Sequence, residues 1–267
     1  MTAPAKKKKK EPYHPKRGLF GNATDYAVYE MKLFEKILYF LVGAAAGVGA
    51  GYLFYENVFL CGVLLMVCGL AFIPFRRKQI IEKRKKKLLL QFRDMLESLS
   101  TSIGAGSNVP DAFLAAEDDM AKQHSEGSDI HREIKTLNEG IYNNIPVETL
   151  LLDMGERSGL EDVLSFANVF ETCYRKGGDT KEVIKNTHQI ISEKIDIMME
   201  IQTVVTSKKS EQNAMMFMPI LFVFLLKMLG KEVVDLTSGT GMVSTTIAVG
   251  IFVIAYFIGK RVLNIKI

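Results

Sequence analysis

The sequence is poor in the residue types on which metal and disulfide chemistry depend. Its 267 residues include no Trp, four His and three Cys. Cys61 and Cys68 lie seven residues apart on one predicted helix, about 10 Å along its axis, which is too far for a disulfide. No pair of Cys or His has the spacing of a zinc site. We therefore expect no disulfide between these two cysteines, no bound metal and no other cofactor.

The local motifs of the common enzyme classes are also missing. The sequence has no phosphate-binding loop ending in Gly-Lys-Ser or Gly-Lys-Thr, no GxGxxG turn after a strand and no GxSxG elbow. The run GTGMVSTT at 239–246 is rich in Gly, Ser and Thr, but it has no Lys to hold a phosphate. These absences argue against an enzyme.

Long apolar runs are what the sequence does have, and they lie towards its two ends. Uncharged runs cover 37–55, 58–75, 214–226 and 242–259. A helix that crosses a bilayer core needs roughly 20 apolar residues, so we expect about four transmembrane helices, the third of them short. Buried helices of a globular protein are the alternative. Cleavage of the first run as a signal is disfavoured because the second run follows at once.

Two features of these runs bear on function. Gly43, Gly47 and Gly51 form a GxxxGxxxG pattern, and small residues four apart let helix backbones approach closely. They are candidates for packing one span against another span of this chain or against a second copy. The runs themselves are uncharged, and Lys227 follows the end of the third, so the predicted spans lack the ionisable groups that a transporter or a channel would usually show.

Basic residues flank the apolar runs and predict their orientation. The clusters lie at 6–10, at 16–17 and at 76–87, and a basic tail follows the last run. The positive-inside bias then places both termini and the middle of a multi-pass protein of the cell (inner) membrane in the cytoplasm. Such clusters could also touch anionic lipid.

The middle of the chain is acidic and is expected to be helical. Residues 88–206 hold 10 Lys and Arg against 21 Asp and Glu, so a nucleic acid would be repelled. Apolar residues recur at helical spacing through this region, and turn-forming residues interrupt it at 104–110, 126–129, 143–146, 158–159 and 177–179. These helices should form an antiparallel bundle. The last of them could run unbroken into the third apolar run, or break near Ser207–Ser210.

The resulting organisation is all-α, with a cytoplasmic helical bundle held between membrane helices. The predicted segments are a basic N-terminal segment at 1–36, a transmembrane helix pair at 37–75, a basic juxtamembrane linker at 76–87, a cytoplasmic helical domain at 88–210 and a C-terminal transmembrane pair with a short basic tail at 211–267.

Three motifs in this domain carry a resemblance to a known family. They are LQFRDMLESLSTSIGAGSNVPDAF, MGERSGLEDVLSFANVFE and RKGGDTKEVIKNTHQII, in this order before the C-terminal runs. The chain resembles the type II secretion F-domain family, in particular the TadB/TadC-like proteins of tight-adherence (Flp) pilus assembly, and is similar to GspF/PilC platform proteins. The Lys-rich N-terminus is not part of the family pattern.

The resemblance implies a non-enzymatic inner-membrane platform protein. Such a protein binds a hexameric assembly ATPase in the cytoplasm and helps pilin subunits leave the bilayer. Because this chain has one F domain where larger members have two, a second copy or a TadC-like paralogue would complete it. A membrane-anchored receptor or scaffold domain that responds to a small ligand, unrelated to pili, is the alternative function.

Candidate contacts for a partner are acidic surfaces and glycine-bounded turns of the helical domain. The acidic run at 117–119 could instead hold a cation or act as an acid pair, although a solvated helix face is the simpler interpretation. The same residues could also simply cap helices. The candidates are Gly104, Gly106, Glu117, Asp118, Asp119, Glu156, Gly159, Glu161, Asp162, Gly177 and Gly178.

Overall fold

A computed structural model describes residues 18–19, 25–29, 31–55, 58–229 and 239–263. All regular structure in these ranges is helical, which confirms the all-α prediction. The helices are α1 (Leu33–Tyr55), α2 (Val58–Gly104), α3 (Val109–Gln123), α4 (Asp129–Tyr142), α5 (Val147–Ser158), α6 (Glu161–Arg175), α7 (Thr180–Leu229) and α8 (Gly239–Leu263).

The breaks between the middle helices lie where the turn-forming residues predict them. The Asn108 side chain accepts a hydrogen bond from the Asp111 N–H and so begins α3, and Ser128 begins α4 by accepting from the His131 N–H. At the end of α5, Gly159 has φ +59°, a left-handed conformation that ends helices and favours glycine. The local sequence therefore determines these helix ends.

The chain divides into two compact units. Unit 1 comprises residues 1–29 and 81–191, and unit 2 comprises residues 30–80 and 192–267, as far as each is described. The stretch 76–87 is helical and lies within α2. Helix α7 passes through Ser207–Ser210 without a break, as one of the two sequence-based alternatives has it.

Unit 1 is built around an apolar core to which all of its helices contribute. The rings of Phe92 and Phe166 meet edge to face with centroids 5.6 Å apart, and Phe170 packs on Phe166 at 5.7 Å. The residues that recur at helical spacing form this core, among them Leu88, Met95, Leu96, Leu99, Phe113, Ile130, Ile134, Leu137, Leu151, Met154, Val163, Ala167 and Ile184. Burial of these stripes is the main stabilisation of the bundle.

In unit 2, glycines of α1 lie against the first part of α2. A Cβ added to Gly47 would lie 2.7 Å from the Leu64 carbonyl oxygen, and one added to Gly43 would lie 2.9 Å from that of Cys68. Gly51 is also buried. The structure thus places the first two glycines of the pattern against another helix of the same chain.

The prediction of four transmembrane helices is wrong. Within the described ranges, none of the helices has the length and apolar character that crossing a membrane requires. The multi-pass localisation in the cell membrane and the orientation derived from it are therefore wrong too.

Many apolar side chains of unit 2 are exposed, among them Phe34, Phe59, Met66, Leu70, Phe217, Phe222, Ile247 and Ile251.

Several sequence-based predictions fall outside the described residues. They concern the basic clusters at 6–10 and 16–17 and the part of the basic tail from residue 264. The side chain of Lys227 is also outside the described part.

A close approach between α5 and α6 predicts that Gly155 does not tolerate a side chain. A Cβ at this position would lie 2.9 Å from the Leu164 Cα, which is backbone and cannot move aside. We expect Gly155→Ala to lower the free energy of unfolding by about 1–3 kcal/mol, measured by denaturant unfolding followed by circular dichroism.

Gly104→Ala is the matched control. The nearest atom to its added Cβ, Lys181 Cε, lies at 4.0 Å, so alanine fits there and should be neutral or stabilising by up to about 1 kcal/mol. Equal destabilisation by the two substitutions would contradict the packing of α5 on α6.

Candidate functional site

The acidic run on α3 is divided between packing and solvent. Glu117 is half-buried and accepts a hydrogen bond from Asn138 Nδ2 of α4 at 2.6 Å. Asp119 accepts one from Ser98 Oγ of α2. Asp118, by contrast, is exposed and pairs with the exposed Lys122. Two of the three carboxylates therefore fasten α3 to its neighbours, and one faces solvent.

The second acidic set lies where α5 gives way to α6. Glu156 and Glu161 are exposed, and Asp162 is half-buried in the first turn of α6. Carboxylates in a first turn interact favourably with the positive end of the helix dipole. The structure thus leaves Asp118, Glu156 and Glu161 as the exposed members of the predicted acidic surfaces.

The predicted glycine turns lie at the ends of helices. Gly104 is the last residue of α2, while Gly106 and Gly177 have φ of +100° and +70°, which L side chains rarely adopt. The Gly178 N–H donates to the Cys173 carbonyl at 2.8 Å. Beyond its role at the end of α5, Gly159 accepts a hydrogen bond from Lys85 Nζ at 3.1 Å through its carbonyl. Each of these glycines has a turn or helix-end position in the fold.

A buried ion pair at the centre of unit 1 was not predicted from the sequence. Arg157 of α5 donates two hydrogen bonds to Glu133 of α4, at 2.9 and 2.7 Å. Their side chains are only 3% and 5% exposed. Arg157 Nε also donates to Asp153 Oδ2 at 2.6 Å. The guanidinium therefore holds two carboxylates and joins α4 to α5.

A second ion pair lies close by. Arg84 of α2 donates to both oxygens of Asp129, through Nε at 2.9 Å and through a terminal nitrogen at 2.7 Å. Asp129 is the first residue of α4 and also pairs with Arg132. Because this geometry is bidentate, it fixes the orientation of α2 relative to α4 as well as their distance.

Tyr26, from the segment before α1, lies between the two ion pairs. Its hydroxyl donates to Glu133 Oε1 at 2.9 Å, and its backbone N–H donates to the Arg157 carbonyl at 3.1 Å. The Arg84 guanidinium lies over its ring, 4.7 Å from the centroid. Tyr26 is 2% exposed. We call Arg84, Asp129, Glu133 and Arg157 the tyrosine socket.

The surroundings of Tyr26, Asp129 and Arg157 shift the pKa of each of these groups. Burial, together with the charges of Glu133 and Asp129, raises the pKa of Tyr26 far above its ordinary value, so the phenol stays protonated and donates. Burial opposes ionisation of Asp129, but the hydrogen bonds from Arg84 outweigh it and hold the pKa of this carboxyl below its ordinary value. In the same way, Glu133 and Asp153 outweigh burial and raise the pKa of Arg157.

Chemically, this arrangement holds parts of the fold together. Each guanidinium is bound to a carboxylate, and the phenol is bound to Glu133. In the portion of the chain that the structure describes, no three His, Cys, Asp or Glu side chains are grouped so that they could bind a metal. One signal of the socket was present in the sequence, since Asp153 and Arg157 are four residues apart on a helix.

Comparison with known proteins adds no relative to this picture. No protein-family model, curated protein or solved structure matches the chain. The likeness to the F-domain family therefore stays a prediction from the sequence motifs.

The buried pair predicts that two arginines of this region contribute very differently to the free energy of unfolding. Arg157→Met leaves Glu133 buried without its guanidinium, so we expect a loss of about 3–5 kcal/mol in the free energy of unfolding. Arg132→Met removes a side chain that is 54% exposed, and Asp129 keeps Arg84 as its partner. This control should change the value by less than about 1 kcal/mol. Similar losses in denaturant unfolding would argue against the buried pair.

The lowered pKa of Asp129 predicts a loss of stability in acid. Because the folded pKa lies below the unfolded one, ionisation stabilises the fold at neutral pH, and this contribution disappears as pH falls below about 4. In unfolding measured against pH, the difference between the wild type and Asp129→Asn should shrink over that range. An unchanged difference for Asp129→Asn down to pH 2 would contradict the assignment.

Proposed function

We propose that the chain is a non-enzymatic helical adaptor of a type IV (Flp/Tad-like) pilus or type II secretion machine, and that its unit 1 is gripped by the assembly ATPase. The proposal begins from the three sequence motifs that resemble the F-domain family. All three span helix ends and turns of unit 1, namely the α2–α3, α5–α6 and α6–α7 junctions. The motifs thus lie in unit 1, whose helices pack closely around a shared core.

The observation that carries the proposal is the separation of buried and exposed charge in unit 1. The buried Arg157 is paired with Glu133, and the half-buried Arg84 is paired with Asp129, both inside the unit. Residues 81–191 of unit 1 hold 19 Asp and Glu against 14 Lys and Arg, so the excess of negative charge in this stretch lies outside these pairs. Exposed acidic residues on a rigid body suit a basic partner surface.

The internal ion pairs also support a mechanical role. They connect three helices, α2 and α5 each being bonded to α4, in addition to the apolar core. A body held in this way transmits a displacement applied to one helix to its neighbours, because packed interiors deform little. Coupling of ATPase motion to pilin polymerisation needs such stiffness rather than a reactive group.

The other predicted partners follow from the resemblance or, for anionic lipid, from the basic clusters of the sequence. They are pilin subunits, a TadC-like paralogue or a second copy of the chain, and anionic lipid. No feature of the described residues favours one of these over another, and they stay predictions.

Charge reversal at the exposed carboxylates tests the contact with the ATPase. We expect the full chain to bind the purified hexameric assembly ATPase of the same pilus system at low salt. Asp118→Lys combined with Glu161→Lys should weaken this binding about tenfold or more, because each change places like charges opposite each other. Binding should also weaken as salt is raised. Fluorescence polarisation with a labelled chain measures both effects.

Glu139→Lys is the matched control, since Glu139 is an exposed carboxylate of α4 outside the predicted acidic surfaces. It should leave the affinity within about twofold. No binding by a wild-type chain that circular dichroism shows to be folded would overturn the proposal. An equal loss in the control would move the contact away from Asp118 and Glu161 and contradict the proposed surface.

A further inference from the structure

The segment at 25–29 precedes α1 in the sequence but packs on unit 1. Tyr26 is the only one of its five residues that is fully buried, and the others are half-buried. It makes the three contacts already described, with Glu133, the Arg157 carbonyl and Arg84. A further link joins the Leu19 N–H to Asp153 Oδ1 at 3.2 Å. Tyr26 is therefore the residue of the segment that enters the interior of unit 1.

The tyrosine socket does not need the tyrosine to satisfy its charges. The Arg157 guanidinium keeps Glu133 and Asp153, and the Arg84 guanidinium keeps both oxygens of Asp129, when Tyr26 is taken away. If the segment detached, the socket would lose the hydrogen bonds from the hydroxyl and the backbone N–H of Tyr26, and the ring of Tyr26 would become exposed. No buried charged group would lose its oppositely charged partner. The ion pairs of the socket are thus complete without Tyr26.

Three features of the socket select a tyrosine within a peptide. The Glu133 carboxylate accepts a hydroxyl, the guanidinium of Arg84 covers an aromatic face, and the Arg157 carbonyl accepts a backbone N–H. That carbonyl lies in the last turn of α5, where helix carbonyls have no partner within their own helix. Phenylalanine would lack the hydroxyl, and serine would lack the ring.

The segment carries its own local order. Asp25 Oδ1 accepts a hydrogen bond from the Ala27 N–H at 2.8 Å, which is an Asx-type turn around Tyr26. A turn made by neighbouring residues persists in a short peptide better than one made by distant contacts. It therefore reduces the ordering cost of binding.

From these observations we propose that the tyrosine socket is an exchangeable peptide-binding site, and that the tyrosine-bearing segment 25–29 is its ligand, supplied by the same chain or by a second copy. The inference is independent of the proposed function. Exchange of an identical segment between copies is a low-cost route to association, because the contacts are the same in both states.

A peptide titration tests the site directly. The receptor is the full chain carrying Tyr26→Ala, which empties the socket, and the probe is a fluorescent peptide of residues 18–29, GLFGNATDYAVY. We expect saturable binding, weakened about tenfold or more when the peptide carries Tyr26→Phe, because a hydrogen bond to a charged acceptor is lost. The peptide with Tyr26→Ala should not bind.

The wild-type chain should bind the same peptide far more weakly than the emptied chain, because its own segment competes at a high effective concentration. Circular dichroism verifies that the Tyr26→Ala chain is folded. If it does not fold, Tyr26→Phe in the chain retains the ring and should still bind the native peptide more tightly than wild type. The proposal is overturned if the folded variant does not bind the native peptide, or binds the native and Tyr26→Ala peptides equally well.

A mixing experiment distinguishes the two sources of the segment. Donor-labelled wild-type chain and acceptor-labelled Tyr26→Ala chain are combined, and energy transfer is measured. Transfer that disappears when both copies carry Tyr26→Ala supports a segment supplied by a second copy. Peptide binding without such transfer supports the same chain as its source.

Discussion

The interaction on which unit 1 depends is the buried pair of Arg157 and Glu133. A charge so far from water is tolerable only when its hydrogen-bonding groups are engaged. Asp153 and the hydroxyl of Tyr26 complete these bonds, and Arg84 with Asp129 forms a second pair beside them. Replacement of the whole pair by well-packed apolar groups could be neutral, whereas loss of one member is costly. The network therefore specifies how α2, α4, α5 and the N-terminal segment fit together.

This network also shapes the surface that unit 1 presents. The positive charges of Arg157 and Arg84 are paired with carboxylates inside unit 1, and two carboxylates of α3, Glu117 and Asp119, are hydrogen-bonded to neighbouring helices. What faces solvent is the remainder, including Asp118, Glu156 and Glu161. Only the exposed carboxylates can contact a partner without unpacking the bundle. The carboxylates that hold helices together are therefore not candidates for such a contact.

Unit 2 shows why local patterns misled. The apolar runs and their basic flanks are local features of the sequence. Membrane helices have the same local features, so the runs were predicted to be membrane spans. Among the described residues, no helix reaches the length and apolarity for a span. The glycines of α1 had a pattern that predicted close packing but named no partner. In the structure, Gly43 and Gly47 lie against α2 of the same chain.

The sequence by itself determined the helices of unit 1, their ends and their apolar faces, because spacing, capping residues and glycine turns act within a few residues. Leu88, Phe92, Val163 and Phe170 are core residues for that reason. Only the tertiary structure decided which charged residues would be buried. Arg157 and Glu133 are 24 residues apart, and Tyr26 is 107 residues from Glu133. Each looks like a surface residue on its own helix or segment, since a polar group becomes a core residue only through a partner that folding brings to it.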